Sequence, residues 1–421
     1  MLTTLPDTQL SVTEARTRIM RELAPIMEVE RVGIRDSLGR ILAKDIFAPF
    51  DVPPYTNSAM DGYAIQGIDL LLEKPRAFTV IGTALAGKPY QGSVGTNETV
   101  QIMTGAVMPT GADTVLMQEH VQWNADTVRL LPEYVPRYTK NQNTQGHNVR
   151  QAGEDLAKDA LVLRAGKRIL PADLGLLASL GIGKVDVKRR LRVAFFCTGN
   201  ELRSIGEPLE KGSIYDSNRY TLYGMLSQSG IQIHDLGVVA DEHPAIRDTL
   251  IKASAISDVI IATGGVSVGE ADHVKAVLGE LGQVHFWKIA MKPGHPLAFG
   301  QIESTQFFGL PGNPVAVMVS FYQFVQFALA HIAGEYDPQP VPTQRVPCLS
   351  HLPKKIGRTE FVRGILESNS KGQLTVRKTG NQGSGILHSM SLANCFIVLL
   401  QEQADIEPGT LVEVQIFKGM I

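Results

Sequence analysis

At 421 residues the chain is too long for one ordinary domain. Its 44% hydrophobic against 19% charged residues supply apolar material for several cores. A formal net charge of -2 excludes a chain-wide electrostatic footprint for nucleic acid or an anionic membrane surface. The three cysteines, Cys197, Cys348 and Cys395, are far apart, odd in number and lack a CxxC pair. That argues against a disulfide framework or a zinc–thiolate site and for a reducing compartment, so a cytoplasmic location is expected. The N-terminus has no basic start followed by an apolar core, so no secretory signal is expected.

Val12 to Met27 reads as a helix, with Ile19, Met20, Leu23 and Ile26 at helical spacing and Ser11 or Thr13 as N-cap. From Asp51 to about Arg150, short β-rich pieces (FTVIG, TVQIMTG, TVLMQE, TVRLL) alternate with turn residues, which predicts a small mostly β domain. The polar, glycine-bearing stretch from Asn141 to Glu154 reads as a boundary. Beyond it lies a helix, PADLGLLASLG, with Pro171 at its first turn, expected to pack back on the first helix. From Leu191, strands (RVAFFC, IQIHDLGVV, DVIIA, VHFWKI, LAFG, FFGL) alternate with helices, which predicts a parallel, doubly wound α/β domain. Val315 to Gly334 is long enough to cross a membrane but carries Ser320, Gln323, Gln326 and His331, so a buried helix packed on the sheet is expected. The remaining strands (FVRGIL, LTVRK, CFIVLL, LVEVQIF) predict a C-terminal β domain, sandwich or barrel. The expected organisation is α/β plus β and multidomain: residues 1–47 and 148–188 a split linker module, 48–147 mostly β, 189–335 α/β, and 336–421 C-terminal β.

Ligands of open α/β sheets bind at the carboxyl ends of the strands. Four strand ends here carry loops of one character: Thr198-Gly199-Asn200-Glu201, Ala240-Asp241-Glu242, Thr263-Gly264-Gly265 continuing to Glu270-Ala271-Asp272, and Pro311-Gly312-Asn313-Pro314. Glycine admits a ligand close to the backbone, and exposed amides at a helix start cradle anions. Acids among such amides would repel a bare phosphate and better suit a hard divalent cation bridging to it. The plainer reading is four strand-to-helix turns with acidic helix starts. Lys288 and Lys292, beside Pro293-Gly294-His295, read as an anion site or as solvated lysines. Asp61-Gly62 reads as a turn, and Met103-Thr104-Gly105-Ala106 is equally open. No Ser-His-Asp constellation and no HExxH spacing is visible.

Taken together, NSAMDGYA, IMTGA, TGNEL, IYDSN, TGGVSVGEAD, MKPG, LPGNP and GNQGS occur in an order, over essentially the whole chain, that resembles the molybdopterin molybdenumtransferase family: bacterial MoeA and the gephyrin E domain. The resemblance implies an elongated homodimer of four-domain subunits, an α/β domain like the molybdopterin adenylyltransferase MogA, and a C-terminal β-barrel. It implies insertion of molybdenum from molybdate into adenylylated molybdopterin with release of AMP, assisted by Mg2+, with the upstream adenylyltransferase as a partner. It assigns acid and cation roles to Glu201, Asp241 and Asp272, with Asp241 and Asp272 on the metal. It brings Asp61, Thr104 and Asp155 to the same cleft from the partner subunit. Lys288, Lys292, Arg363 and Ser384 match oxyanion-binding positions, and Pro311 and Pro314 shape the bordering loop. Thr198, Gly199, Asn200, Gly264, Gly265, Ser267, Gly269, Gly312 and Asn313 then become substrate contacts. One departure stands out: His295 occupies a position where many members carry lysine, which weakens the charge expected there. Two other classes fit less well, the adenylyltransferase itself and a gephyrin-type scaffold, because the flanking β domains and the Asp61 and Thr104 motifs have no place in the first and a long linker is lacking for the second.

Overall fold

The computed structural model describes residues 9–71, 77–124, 126–140, 143–227, 230–265, 273–339 and 341–417. The chain gathers into two compact units, Met1–Ala43 with Gly166–Leu170 and Lys184–Ile421, and Lys44–Ala165 with Pro171–Gly183. The first is built on a six-stranded sheet. Its strands are β1 (Arg192–Thr198), β2 (Gln232–Val239), β3 (Val259–Thr263), β4 (Gly282–Lys288), β5 (Pro296–Ile302) and β6 (Thr305–Leu310), in the spatial order β2-β1-β3-β6-β5-β4.

Four neighbours, β2, β1, β3 and β6, are parallel as expected, but β4 and β5 are antiparallel. The reason is connection length. Only residues 289–295 join β4 to β5, and only Glu303 and Ser304 join β5 to β6, whereas a parallel crossover needs a dozen residues or more.

The central strands are buried on both faces, which explains their unbroken apolar runs. Val193, Phe195, Ile261, Phe299 and Phe308 form one face, with Leu222 and Leu226 of helix Ser217–Ser227 and with the helix that starts at Pro314. Ala194, Phe196, Ile260 and Phe307 form the other, with Ile246 and Leu250 of helix His243–Ile256 and with Val274 and Val277 of helix His273–Leu281. The Pro314–Ile332 helix passes by length and composition as a membrane span, but 72% of its apolar 18-residue window is buried inside the protein, matching the buried-helix reading. It contains a π turn at Phe321–Val325. There the Arg16 side chain bonds the Gln323 carbonyl and amide oxygen, and Gln323 in turn donates to Gln415. Arg16 comes from the helix Val12–Glu22, capped reciprocally by Ser11 and Glu14. That first helix therefore finds a partner in the core helix of the α/β domain; Pro171–Ser179, expected to pack on it, belongs to the second unit.

Five further strands, β7 (Thr343–Pro347), β8 (Thr359–Ser368), β9 (Leu374–Lys378), β10 (Cys395–Leu399) and β11 (Leu411–Ile416), pair in the order β9-β8-β10-β11-β7. A parallel bridge between Cys348 and Val376 joins the two ends and closes this sheet on itself. The short strand Met291–Lys292 leaves the β4–β5 loop and pairs with the start of β8, placing Lys292 opposite Glu360.

The second unit holds a six-stranded sheet ordered Thr114–Met117, Gly62–Ile65, Glu98–Ile102, Ala77–Ala84, Thr127–Leu130, Val121–Asn124. Gly62 opens a buried strand instead of closing a turn. A Cβ there would stand 1.9 Å from the Leu116 carbonyl oxygen, so the glycine serves strand packing.

Candidate functional site

Because β1, β3 and β6 are parallel neighbours, their C-terminal ends reach one edge together. Thr198 closes β1 and Gly199 follows it, Gly264 and Gly265 follow β3, and Pro311, Gly312 and Asn313 follow β6. All seven line one cavity of about 640 Å³. Asp241, just beyond β2, and Glu201 stand on one side of it, while Lys292, Pro293, Gly294, His295, Arg358, Gln382, Gly383 and Ser384 stand among its other lining residues.

Gly264 has φ +84°, and a Cβ would lie 2.1 Å from the Thr198 carbonyl oxygen. Here the close approach is first of all between two protein backbones, which holds the β1 and β3 ends together at the cavity floor.

The acid side carries an orphan. Oδ1 of Asp241 is buried and has no hydrogen-bond partner among the described residues, while its backbone N–H reaches the Asn200 side-chain oxygen at 3.4 Å. A carboxylate oxygen held away from water without a donor is costly unless something else satisfies it, and a hard cation is the natural candidate. On the opposite side Lys292 Nζ lies 3.2 Å from a buried Glu360 carboxylate oxygen. The His295 ring donates from Nδ1 to the Ile289 carbonyl at 2.8 Å, which leaves Nε2 as its remaining nitrogen.

Arg363 does not line the cavity. Its residue is 1% exposed, and its guanidinium donates to the carbonyls of Asn381, Gln382 and Gly383 and to the Ser389 hydroxyl, each at 3.0 Å. It therefore lies beneath the loop that carries Ser384 and shapes it. Burial pushes this guanidinium down to about 10.

Three family models match the chain in sequence: the MoeA N-terminal region (domains I and II) over residues 10–181, a probable molybdopterin binding domain over 194–331, and the MoeA C-terminal region (domain IV) over 345–417. A molybdopterin molybdenumtransferase of Haemophilus influenzae is 40% identical over 98% of this chain and 100% of its own length. One from Bacillus subtilis is 33% identical over 93% of this chain and 90% of its own. The crystal structure of a Pyrococcus horikoshii molybdopterin biosynthesis MoeA protein superposes with a TM-score of 0.81 at 29% identity, covering 97% of this chain and all of that one.

The chain belongs to the MoeA family. Of the residues that its motifs single out, Thr198, Gly199, Glu201, Asp241, Gly264, Gly265, Lys292, His295, Pro311, Gly312, Asn313 and Ser384 share the cavity. Pro314 lines an adjoining cavity of about 540 Å³, together with Asp216 and Asn218. Asn200 and Lys288 are exposed nearby and line neither. Ser267, Gly269 and Asp272 lie outside the described residues.

Asp61, Thr104 and Asp155 belong to the second unit. There the Thr104 N–H (2.7 Å) and hydroxyl (2.8 Å) both donate to Asp61 Oδ1 and hold its carboxyl below the usual carboxylate range.

Some lining residues escaped the motif reading. Arg358 sits in the turn before β8 and Gln382 inside GNQGS, where charge and glycine content give no hint of which side chain turns inward. Asp216 and Asn218 had a signal, IYDSN, without a role. Asp216 caps the helix Ser217–Ser227 through the Arg219 N–H, and Asn218 donates to the Gly312 carbonyl at 2.7 Å. The latter bond ties the β6 loop to that helix. Cys197, beneath them, is no nucleophile, because burial and the nearby Asp216 carboxylate push its thiol up.

Proposed function

We propose that this chain inserts molybdenum from molybdate into adenylylated molybdopterin, releasing AMP and giving the molybdenum cofactor. The observation that carries the reading is one cavity with an acid side, Asp241 and Glu201, a cationic side, Lys292, and a glycine-walled floor between them. A substrate that joins a phosphoanhydride to a dithiolene awaiting an oxyanion needs all three within one reach. The orphaned Asp241 oxygen fits a magnesium site, to which Asp272 would add a second carboxylate. Magnesium bound there would supply Lewis-acid polarisation of the phosphoanhydride.

The chain's own residues supply positioning. Gly199, Gly264 and Gly312 let the pterin phosphate approach the backbone, Lys292 and the Ser384 loop hold molybdate, and Arg363 keeps that loop in place. Asp61, ionised by its two bonds from Thr104, and Asp155 complete the cleft of a second subunit in a homodimer. The substrate comes from the upstream adenylyltransferase, in the cytoplasm, where the three free, buried thiols are at home.

The test is incubation with adenylylated molybdopterin, molybdate and magnesium, following AMP. No AMP above the protein-free control overturns the reading. Mixing Asp61→Ala with Asp241→Ala protein should restore part of the activity through hybrid dimers. No recovery despite demonstrated subunit exchange means that each chain completes its own site.

A further inference from the structure

Leu10 and Arg16 do not line the cavity, yet they hold two of the elements that do. One is the β4–β5 loop, with Lys292, Pro293, Gly294 and His295; the other is the start of the Pro314–Ile332 helix, with Asn313 and Ala316. Leu10 forms a parallel bridge with Ile289, where that loop begins. Its N–H donates to the Lys288 carbonyl at 2.9 Å, and its carbonyl accepts from the Ala290 N–H at 2.8 Å. Further along the same segment, Arg16 reaches the helix. Its Nε donates to the Gln323 carbonyl at 2.8 Å and its Nη2 donates to the Gln323 side-chain oxygen. Gln323 Nε2 in turn donates to Gln415 Oε1 of β11 at 2.7 Å.

This chain of polar groups is buried. Gln323 is 1% exposed and Gln415 4%, and the Arg16 guanidinium lies over the Phe327 ring at 6.0 Å. Burial pushes Arg16 down to about 10, so it is still charged at neutral pH. Sinking a cation costs much of what its bonds return, so an apolar side chain would hold the fold about as well. What Arg16 adds is a choice of helix geometry. Gln323 is the middle residue of the π turn Phe321–Val325. A π turn carries one residue more than the regular helix. Drawn back into α geometry, the Pro314–Ser320 half would turn by about 100° and shift by about 1.5 Å against the Gln326–Ile332 half. The cavity depends on that upstream half. Ala316 lines it, and the Val315 N–H donates to the Ser384 carbonyl at 3.1 Å. A Cβ on Gly294 would stand 2.8 Å from the hydroxyl of Ser320, the residue just before the π turn. A rotation there presses on the Gly294 loop and pulls on the Ser384 loop together.

We propose that Arg16 is a positioning residue for the reaction: it locks the π turn at Gln323 and so fixes the face that the first half of the core helix, with the loops resting on it, turns to the cavity. The inference rests on reading this cavity as the reaction site.

The test compares the unsubstituted full chain with Arg16→Met, apolar and unbranched, and with Arg16→Lys. It reads thermal unfolding, amide hydrogen exchange by peptide, and AMP release with molybdate and adenylylated molybdopterin each varied. Arg16→Met should keep Tm within about 3 °C and speed exchange about five-fold or more in peptides covering 313–325 and 383–387, but not in β3. It should lower AMP release at saturating substrates about ten-fold and move the half-saturating concentrations less than about three-fold, because misplacement costs turnover before binding. Arg16→Lys, which keeps the charge without the fork, should recover part of the turnover. Unchanged local exchange, or faster local exchange with unchanged AMP release, would refute the role. A large fall in Tm with exchange rising alike in β3 would mark Arg16 as merely structural and likewise overturn the proposal. If the unsubstituted protein releases no AMP, the functional reading fails and takes this inference with it, an outcome distinct from a loss confined to the variants.

Discussion

Replacing Arg363 with methionine separates a scaffold role from direct anion binding. The guanidinium makes four hydrogen bonds, all to neutral acceptors. At about 1.5 kcal/mol for each bond from a charged donor, the sum is about 6 kcal/mol. Two of the three carbonyls belong to exposed residues, Asn381 and Gly383, and regain water when the arginine is gone. Removing a buried cation also relieves its desolvation cost. The net loss should be about 3 kcal/mol, which for a unit of this size lowers Tm by about 5 °C. Thermal unfolding of Arg363→Met and Arg363→Lys checks this, alongside half-saturating molybdate for AMP release. A lysine keeps the charge but cannot reach four acceptors in a planar fork, so it should rescue neither quantity. If lysine restores the molybdate constant while Tm stays low, the charge acts on the anion itself and the scaffold argument is wrong.

Asp258 carries a pH-dependent prediction. Burial raises its carboxyl, but bonds from Arg189 and Arg192 outweigh that and hold it at about 2. The folded value lies below the unfolded one, so its contribution is complete above about pH 4 and disappears as pH falls towards 2. Asp258→Asn should cost about 2 kcal/mol in urea unfolding at pH 7 and much less near pH 2.5; an equal cost at both would refute the ion-pair account. Gly264→Ala meets both a positive φ and the Thr198 carbonyl, so it should destabilise by at least ~2 kcal/mol and abolish AMP release. Wild-type activity there would mean that the β1 and β3 ends separate freely. Asp241→Asn neutralises a buried carboxylate whose Oδ1 has no partner among the described residues, so Tm should hold or rise slightly while AMP release falls at limiting magnesium. A clear drop in Tm would show that the carboxylate serves the fold.

Much of this architecture was legible in the sequence because local chemistry decided it. Strands buried on both faces need unbroken apolar runs such as RVAFFC and DVIIA. Parallel strands need crossover helices, and ligand loops at their carboxyl ends need glycine, so the rim could be named from Thr198, Gly264 and Gly312 alone. The Ser11–Glu14 cap and the buried Pro314–Ile332 helix follow from equally local patterns.

What local pattern could not decide was partnership across the chain. The β4–β5 hairpin reads like two more parallel strands until its short connection is weighed against the sheet it must join. The first helix packs on a segment some three hundred residues away, through Arg16 and Gln323, and no periodicity encodes that choice. Arg363, which the family resemblance assigns to oxyanion binding, is buried and donates to the carbonyls of Asn381, Gln382 and Gly383 in the loop before Ser384. Arg358 belongs to no motif, yet it pairs with the buried Glu360 that Lys292 also meets and lines the same cavity. Side-chain identity and spacing are properties of a segment. Which charge faces which is a property of segments brought together, and only tertiary packing determines it.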